Sequence, residues 1–195
     1  YIIQLNNDTE LMTPNWIQEM LGFAQREDVG AVGVELFYPD NTIQHAGIII
    51  GIGGVAGHVF KNLPKGIHGY FSKDAMIQNL SAVTAACIMT PKSIYDDVDY
   101  MDEKFKVAFN DVDFCLKIRE KGKLIVYNPF VQFKHYESKS RGFEDTPEKK
   151  ERFQAEIDRF HDKWQSVLDK GDPYYNINLR LDNDQCAIRT EKVEY

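Results

Sequence analysis

The chain has 195 residues, a length that suits one domain around a single core. With 43% hydrophobic, 12% aromatic and 27% charged residues, it excludes a disordered or collagen-like polypeptide. Thirty acidic side chains against 23 basic ones give a formal net charge of -7, which disfavours nucleic acid as a partner and implies that an anionic ligand would need a metal ion beside it.

Residues 1–5 read as a buried strand closed by the turn formers Asn6, Asn7 and Asp8. A chain that opens on a strand without a methionine is expected to be a fragment of a longer protein. Thr13-Pro14 offers a cap followed by proline, and Ile17, Met20, Leu21 and Ala24 recur at helical spacing, so a helix is predicted over 14–25. Strands are predicted at 30–36 and, after the turn Pro39-Asp40-Asn41, at 42–50. The apolar run 46–56 is shorter than the ~18 residues of a membrane span and is broken by four glycines. No secretory leader is recognisable, so the expected compartment is the cytoplasm.

Residues 51–80 are irregular and glycine-rich, as functional loops are. A short strand is predicted at 83–89, a helix start at Thr90-Pro91, a helix over 110–121 stopped by Gly122, and a strand at 124–127. Residues 135–145 read as a polar loop. Thr146-Pro147 then opens a helix whose stripe is Phe153, Ile157, Phe160, Trp164 and Leu168, ended by Gly171. The remainder to Tyr195 is polar and is expected to be an extended tail, packed or partly disordered. Cys87, Cys115 and Cys186 show no C-x-x-C spacing and are expected to be free thiols.

Four patterns carry potential chemistry, each beside a plainer reading. Asn6-Asn7-Asp8 follows a strand end, where open α/β sheets bind ligands, and Asp8 is a candidate metal ligand; the plainer reading is a polar turn. Asn110-Asp111-Val112-Asp113 opens a helix, so that one acid can cap while the other faces a cleft as a general base. His135 to Gly142 combines an imidazole, hydroxyls and the Arg141 guanidinium, a mixture suited to a metal and phosphate oxygens, or else a solvated loop. Residues 51–56 fit G-x-G-x-x-A, but no helix follows to hold a pyrophosphate.

Taken in order, Leu5-Asn6-Asn7-Asp8-Thr9-Glu10, His45-Ala46-Gly47, the segment Ser81 to Cys87, Asp102-Glu103-Lys104-Phe105, Asn110 to Asp113 and His135-Tyr136-Glu137-Ser138 resemble the catalytic domain of family 2 glycosyltransferases. The likeness is to rhamnosyltransferase-like bacterial members that build cell-surface polysaccharides. It implies an α/β fold, the C-terminal part of the GT-A layered architecture with a mixed sheet. Residues 1–145 would form a partial catalytic domain, with the helix and tail of 146–195 packed on it.

The resemblance implies that Asp8 and His135 bind Mg2+ or Mn2+ at the diphosphate of a UDP- or dTDP-sugar. It implies that Asn6, in place of an acid, contacts the donor, and that Arg141 reaches a phosphate. Thr84, Ala85, Ala86 and Asn110 would line the acceptor side, and Asp111 would act as the base of a single inverting transfer to a saccharide or lipid-linked saccharide. Peripheral association with the inner face of the membrane is compatible with this. In that family the nucleoside is held by strands ahead of the D-x-D strand, so this chain alone is expected to be inactive or very weak. Two other readings stay open at this level: a sugar nucleotidyltransferase-like enzyme, and a non-catalytic carbohydrate-binding or assembly domain with Tyr70, Phe71, Tyr174 and Tyr175 as stacking aromatics.

Overall fold

A computed structural model describes residues 1–136 and 146–190. The strands are β1 (Ile2–Leu5), β2 (Thr9–Leu11), β3 (Val29–Phe37), β4 (Ile43–His45), β5 (Ile48–Ile50), β6 (Ala56–His58), β7 (Gln78–Leu80), β8 (Cys87–Thr90) and β9 (Leu124–His135). The helices are α1 (Trp16–Ala24), α2 (Lys92–Asp97), α3 (Asn110–Glu120) and α4 (Pro147–Lys170).

A mixed sheet runs β1-β8-β3-β9-β2, with β4 added to β3 and β7 to β9; β5 and β6 form a separate hairpin. Strands β3 and β9 are parallel, while β8 runs antiparallel to both β1 and β3. The strands β1, β3 and β9 therefore end on the same side of the sheet. Alternation along β3 sends Val32, Val34 and Leu36 to one face, against Met20 and Ala24 of α1. Ala31 and Phe37 face the other way, into a cluster with Phe114 of α3 and Phe160 and Trp164 of α4. This layered α/β arrangement is the fold class expected from the sequence.

Local differences have physical causes. Helix α1 starts at Trp16 rather than Pro14, because the Thr13 hydroxyl is spent on β9, donating to the Phe130 carbonyl and accepting from Gln132 N–H at 3.2 and 3.0 Å. The predicted strand 42–50 is two strands, turned at Gly47, whose φ is 111° and where a Cβ would lie 2.3 Å from Leu80 Cδ1. The strand predicted at 83–89 begins only at Cys87. The one predicted at 124–127 continues to His135, its register with β3 jumping from Asn128 to Gln132, so that Pro129 sits in an irregularity where no ladder N–H is required.

Thr146 caps α4 as expected, accepting from Lys149 N–H at 3.3 Å. The tail is anchored by buried Asp172, which accepts from Ile50 N–H at 2.8 Å and the Ser81 hydroxyl at 2.7 Å. Leu179 and Cys186 are buried with it. All three cysteines are free and buried, and burial pushes the Cys87 and Cys115 thiols up to about 12. Among the described residues no helix is long and apolar enough to cross a membrane.

Candidate functional site

Beyond the end of β1, Asn6 N–H donates to the Ala86 carbonyl at 2.9 Å, which docks the Asn6 to Asp8 turn on the segment leading into β8. Strand β2 then pairs with the end of β9, Thr9 facing His135, and Tyr136 N–H donates to the Asp8 carbonyl at 2.8 Å. This backbone pairing brings His135 Nε2 to 3.1 Å from Asp8 Oδ1 and 3.1 Å from Asn6 Nδ2. The Asp8 side chain is 25% exposed and that of His135 only 9%. The pair therefore opens to solvent from the aspartate side.

Gln44 of β4 orients the imidazole. Its amide nitrogen donates to the His135 carbonyl at 3.4 Å, so its oxygen, 2.6 Å from Nδ1, accepts the Nδ1 proton. Nε2 is then the nitrogen presented to Asp8. A carboxylate oxygen and an imidazole lone pair 3.1 Å apart repel unless positive charge lies between them, as a proton or a cation. A metal-ligating histidine usually has its other N–H held by an oxygen acceptor, and the Gln44 side-chain oxygen occupies that place on His135.

The described residues contain no group of three or more His, Cys, Asp or Glu able to hold a metal. One oxygen and one imidazole suit a divalent ion such as Mn2+ or Mg2+ that takes its other ligands from water and phosphate oxygens. On donor chemistry these residues fit that kind of ion.

Residues 84–86 link this pair to α3. Ala85 N–H donates to Asp111 Oδ2 at 3.3 Å, and Val112 N–H to Asp111 Oδ1 at 2.9 Å. Each oxygen keeps capacity for another donor. The Asn110 side chain turns back to accept from Asp111 N–H at 2.7 Å, and Ala86 N–H donates to Thr84 Oγ1 at 3.3 Å. Gly33 of β3 permits the close approach of Val83 that seats this segment, since a Cβ there would lie 2.5 Å from Val83 Cβ.

His45, fully buried, accepts from Thr84 N–H on Nε2 at 3.4 Å and faces His58 Nδ1 at 3.1 Å. Burial pushes its pKa well down, helped by nearby His58 and His135, so it stays neutral. Of the two acids at the α3 start, only Asp111 faces this region. Asp113 is buried, accepting from Trp164 Nε1 at 2.8 Å and Lys163 Nζ at 2.6 Å.

Asn6, Asp8, Thr84, Ala85, Ala86, Asn110, Asp111 and His135 are thus tied together by this network, and Arg141 lies outside the described residues. Of the candidate stacking aromatics, Phe71 is 79% exposed against Tyr70, Tyr174 lies over Arg119, and Tyr175 packs on the core.

Two contributors escape sequence reasoning. Gln44 gave no signal beyond standing before the His45-Ala46-Gly47 motif. Glu156 gave one, a carboxylate one turn ahead of Phe160 on the inward side of α4. It is buried and accepts from Lys106, Val107 and Ala108 N–H at 2.8, 3.0 and 3.0 Å, ordering the loop that enters α3.

No protein-family model matches the chain. It is 45% identical over 189 residues to an uncharacterized protein, y4gI, of Sinorhizobium fredii (strain NBRC 101917 / NGR234), covering 96% of this chain and 21% of that one. It is 35% identical over 196 residues to the O-antigen biosynthesis protein RfbC of Myxococcus xanthus, covering 96% of this chain and 14% of the relative. The chain therefore spans about a fifth of the length of the first of these proteins and about a seventh of the second.

Proposed function

We propose that the chain carries the metal, acceptor and base side of a glycosyltransferase. It would move a sugar from a UDP- or dTDP-sugar to a hydroxyl of a saccharide or lipid-linked saccharide in the synthesis of a surface polysaccharide. The observation that carries this reading is the convergence of the Asp8 and His135 pair with the Asp111 carboxylate through residues 84–86, where parallel strands end. The likeness to a protein named for O-antigen biosynthesis supports the polysaccharide setting.

Bound Mg2+ or Mn2+ would supply neutralisation of charge on the leaving diphosphate. Asp8 and His135 would hold it, with Gln44 fixing the imidazole. Asn6, whose amide already points at this site, would contact the donor. Asp111 accepts the proton of the acceptor hydroxyl as that oxygen attacks the anomeric carbon, in one inverting displacement. Its two backbone donors hold the carboxylate in place while leaving lone pairs for that proton.

The test has two arms. Mn2+ titration followed by paramagnetic broadening should affect residues around Asp8 and His135 in the chain itself, and Asp8→Asn should abolish the effect. Transfer from a panel of UDP- and dTDP-sugars should then be assayed with the chain fused behind the matching upstream segment of the Myxococcus xanthus relative. There Asp111→Asn should lower turnover 100-fold or more while leaving nucleotide binding intact. Broadening elsewhere, or turnover indifferent to Asp111, defeats the proposal.

A further inference from the structure

A cleft of about 230 Å3 lies apart from the network above and shares none of its residues. It is lined by Glu35, Lys65, His68, Asp74, Phe130 and Gln132, with Phe37 and Ile43 among its apolar walls. Glu35 is only 5% exposed, yet it stands on this wall in β3 rather than in the hydrophobic clusters. Gln132, facing it from β9, donates to Glu35 Oε2 at 2.7 Å, and Lys65 Nζ donates to Gln132 Oε1 at 2.9 Å.

Glu35 Oε1 has no hydrogen-bond partner among the described residues. That oxygen keeps accessible surface, so it is reachable from the cleft and able to meet a ligand group. Burial pushes this carboxyl up to about 7, with Asp74 adding to the rise and Gln132, Lys65 and His68 opposing it. At neutral pH it both accepts and donates hydrogen bonds.

The other groups restrict the occupant. Asp74 is used internally, accepting from His68 Nδ1 and Gly69 N–H at 2.8 Å each. An anion would be opposed by Glu35 and Asp74, and a cation by Lys65 and His68. Phe130, 61% exposed, offers a bare aromatic face, whose negative π-cloud attracts polarised C–H groups. The volume is below the roughly 300–1,000 Å3 of drug-sized pockets, which limits the ligand to about one ring.

We propose that this cleft binds a neutral, hydroxyl-rich ring, a single sugar residue, through the Glu35 carboxyl and the Phe130 face. The proposal stands on the cleft's own chemistry and does not depend on Asp111 acting as a base.

NMR titration of the chain with methyl glycosides of rhamnose, glucose, galactose and N-acetylglucosamine tests it. At least one should give saturable shifts at the Gln132 side-chain amide and at Lys65 and His68. Glu35→Leu should weaken that binding roughly tenfold, as loss of a hydrogen bond to a carboxyl does. Phe130→Ala, at an exposed position that leaves folding intact, should weaken it several-fold. Asp8→Asn and Asp111→Asn should leave it unchanged, so this site survives even if the transferase reading fails. The proposal is overturned if no glycoside shifts the cleft, if Glu35→Leu and Phe130→Ala bind as the parent does, or if methylammonium or inorganic phosphate shifts the same signals as strongly.

Discussion

Asp111 and Asp113 stand two residues apart, yet they belong to regions that treat carboxylates in opposite ways. At the open end of the sheet, Asp8 and Asp111 are partly exposed and hold one or two partners among the described residues, which leaves lone pairs for something else. In the seam between α3 and α4, Asp113 and Glu156 are buried and occupied by an indole, an ammonium and three successive amides. Spare acceptor capacity at an accessible carboxylate marks a group able to meet a ligand; in the core, partners drawn from neighbouring elements mark one that holds them together, although Asp113 Oδ2 stays buried without a hydrogen bond among the described residues. Glu35 shares features of both, being buried like the seam acids but underused like the site acids.

The largest expected effect is in the seam. Glu156→Leu leaves three loop amides without their acceptor and should cost about 3–5 kcal/mol in urea unfolding. A loss below about 1 kcal/mol would show that water replaces the carboxylate and that the two regions do not differ as described.

Next comes Glu35, read through pH. Its carboxyl titrates near 4.5 when unfolded and near 7 when folded, so between these values the folded protein holds a proton that the unfolded chain has released. Stability therefore falls as pH rises through that window and stays at the lower level above it, a change of roughly 3 kcal/mol. Glu35→Gln should remove this slope, its advantage over the parent growing from pH 4 to pH 8. Parallel profiles for the two proteins would place Glu35 in ordinary contact with water.

Gln44→Leu sharpens the comparison at the open end. Freed from its amide partner, His135 loses its fixed orientation, and Mn2+ affinity should fall 10–100-fold. Unchanged affinity would remove Gln44 from the site. The smallest effect belongs to Asp111→Asn, which preserves size and one of the two acceptors used by the Ala85 and Val112 amides, and should change stability by about 1 kcal/mol. A large destabilisation would move Asp111 into the class of its neighbour Asp113.

Much of the layered fold was legible, because β1, β3, α3 and α4 announce themselves by burial runs, helical spacing and caps. The length of β9 was not. Pro129 looks like a terminator, and only pairing with β3 shows that the strand absorbs it in an irregularity. The split at Gly47 was likewise hidden, since its cause is the distant Leu80 side chain. Asp8, Asp111 and His135 were singled out from the order of local motifs. Gln44 was not, since its partner is 91 residues away and an amide carries no mark of what it will hold.

Strand β9 also sets a schedule for folding. It lies between β3 and β2 and carries His135, which meets Asn6 across 129 residues of chain. During synthesis, β1, β3 and β8 have emerged while β9, the neighbour of β3, is still unmade, leaving that edge of β3 open to other chains until β9 arrives. Closing so large a loop makes this pairing a slow event, one on which both the Asp8 pair and the Glu35 cleft wait.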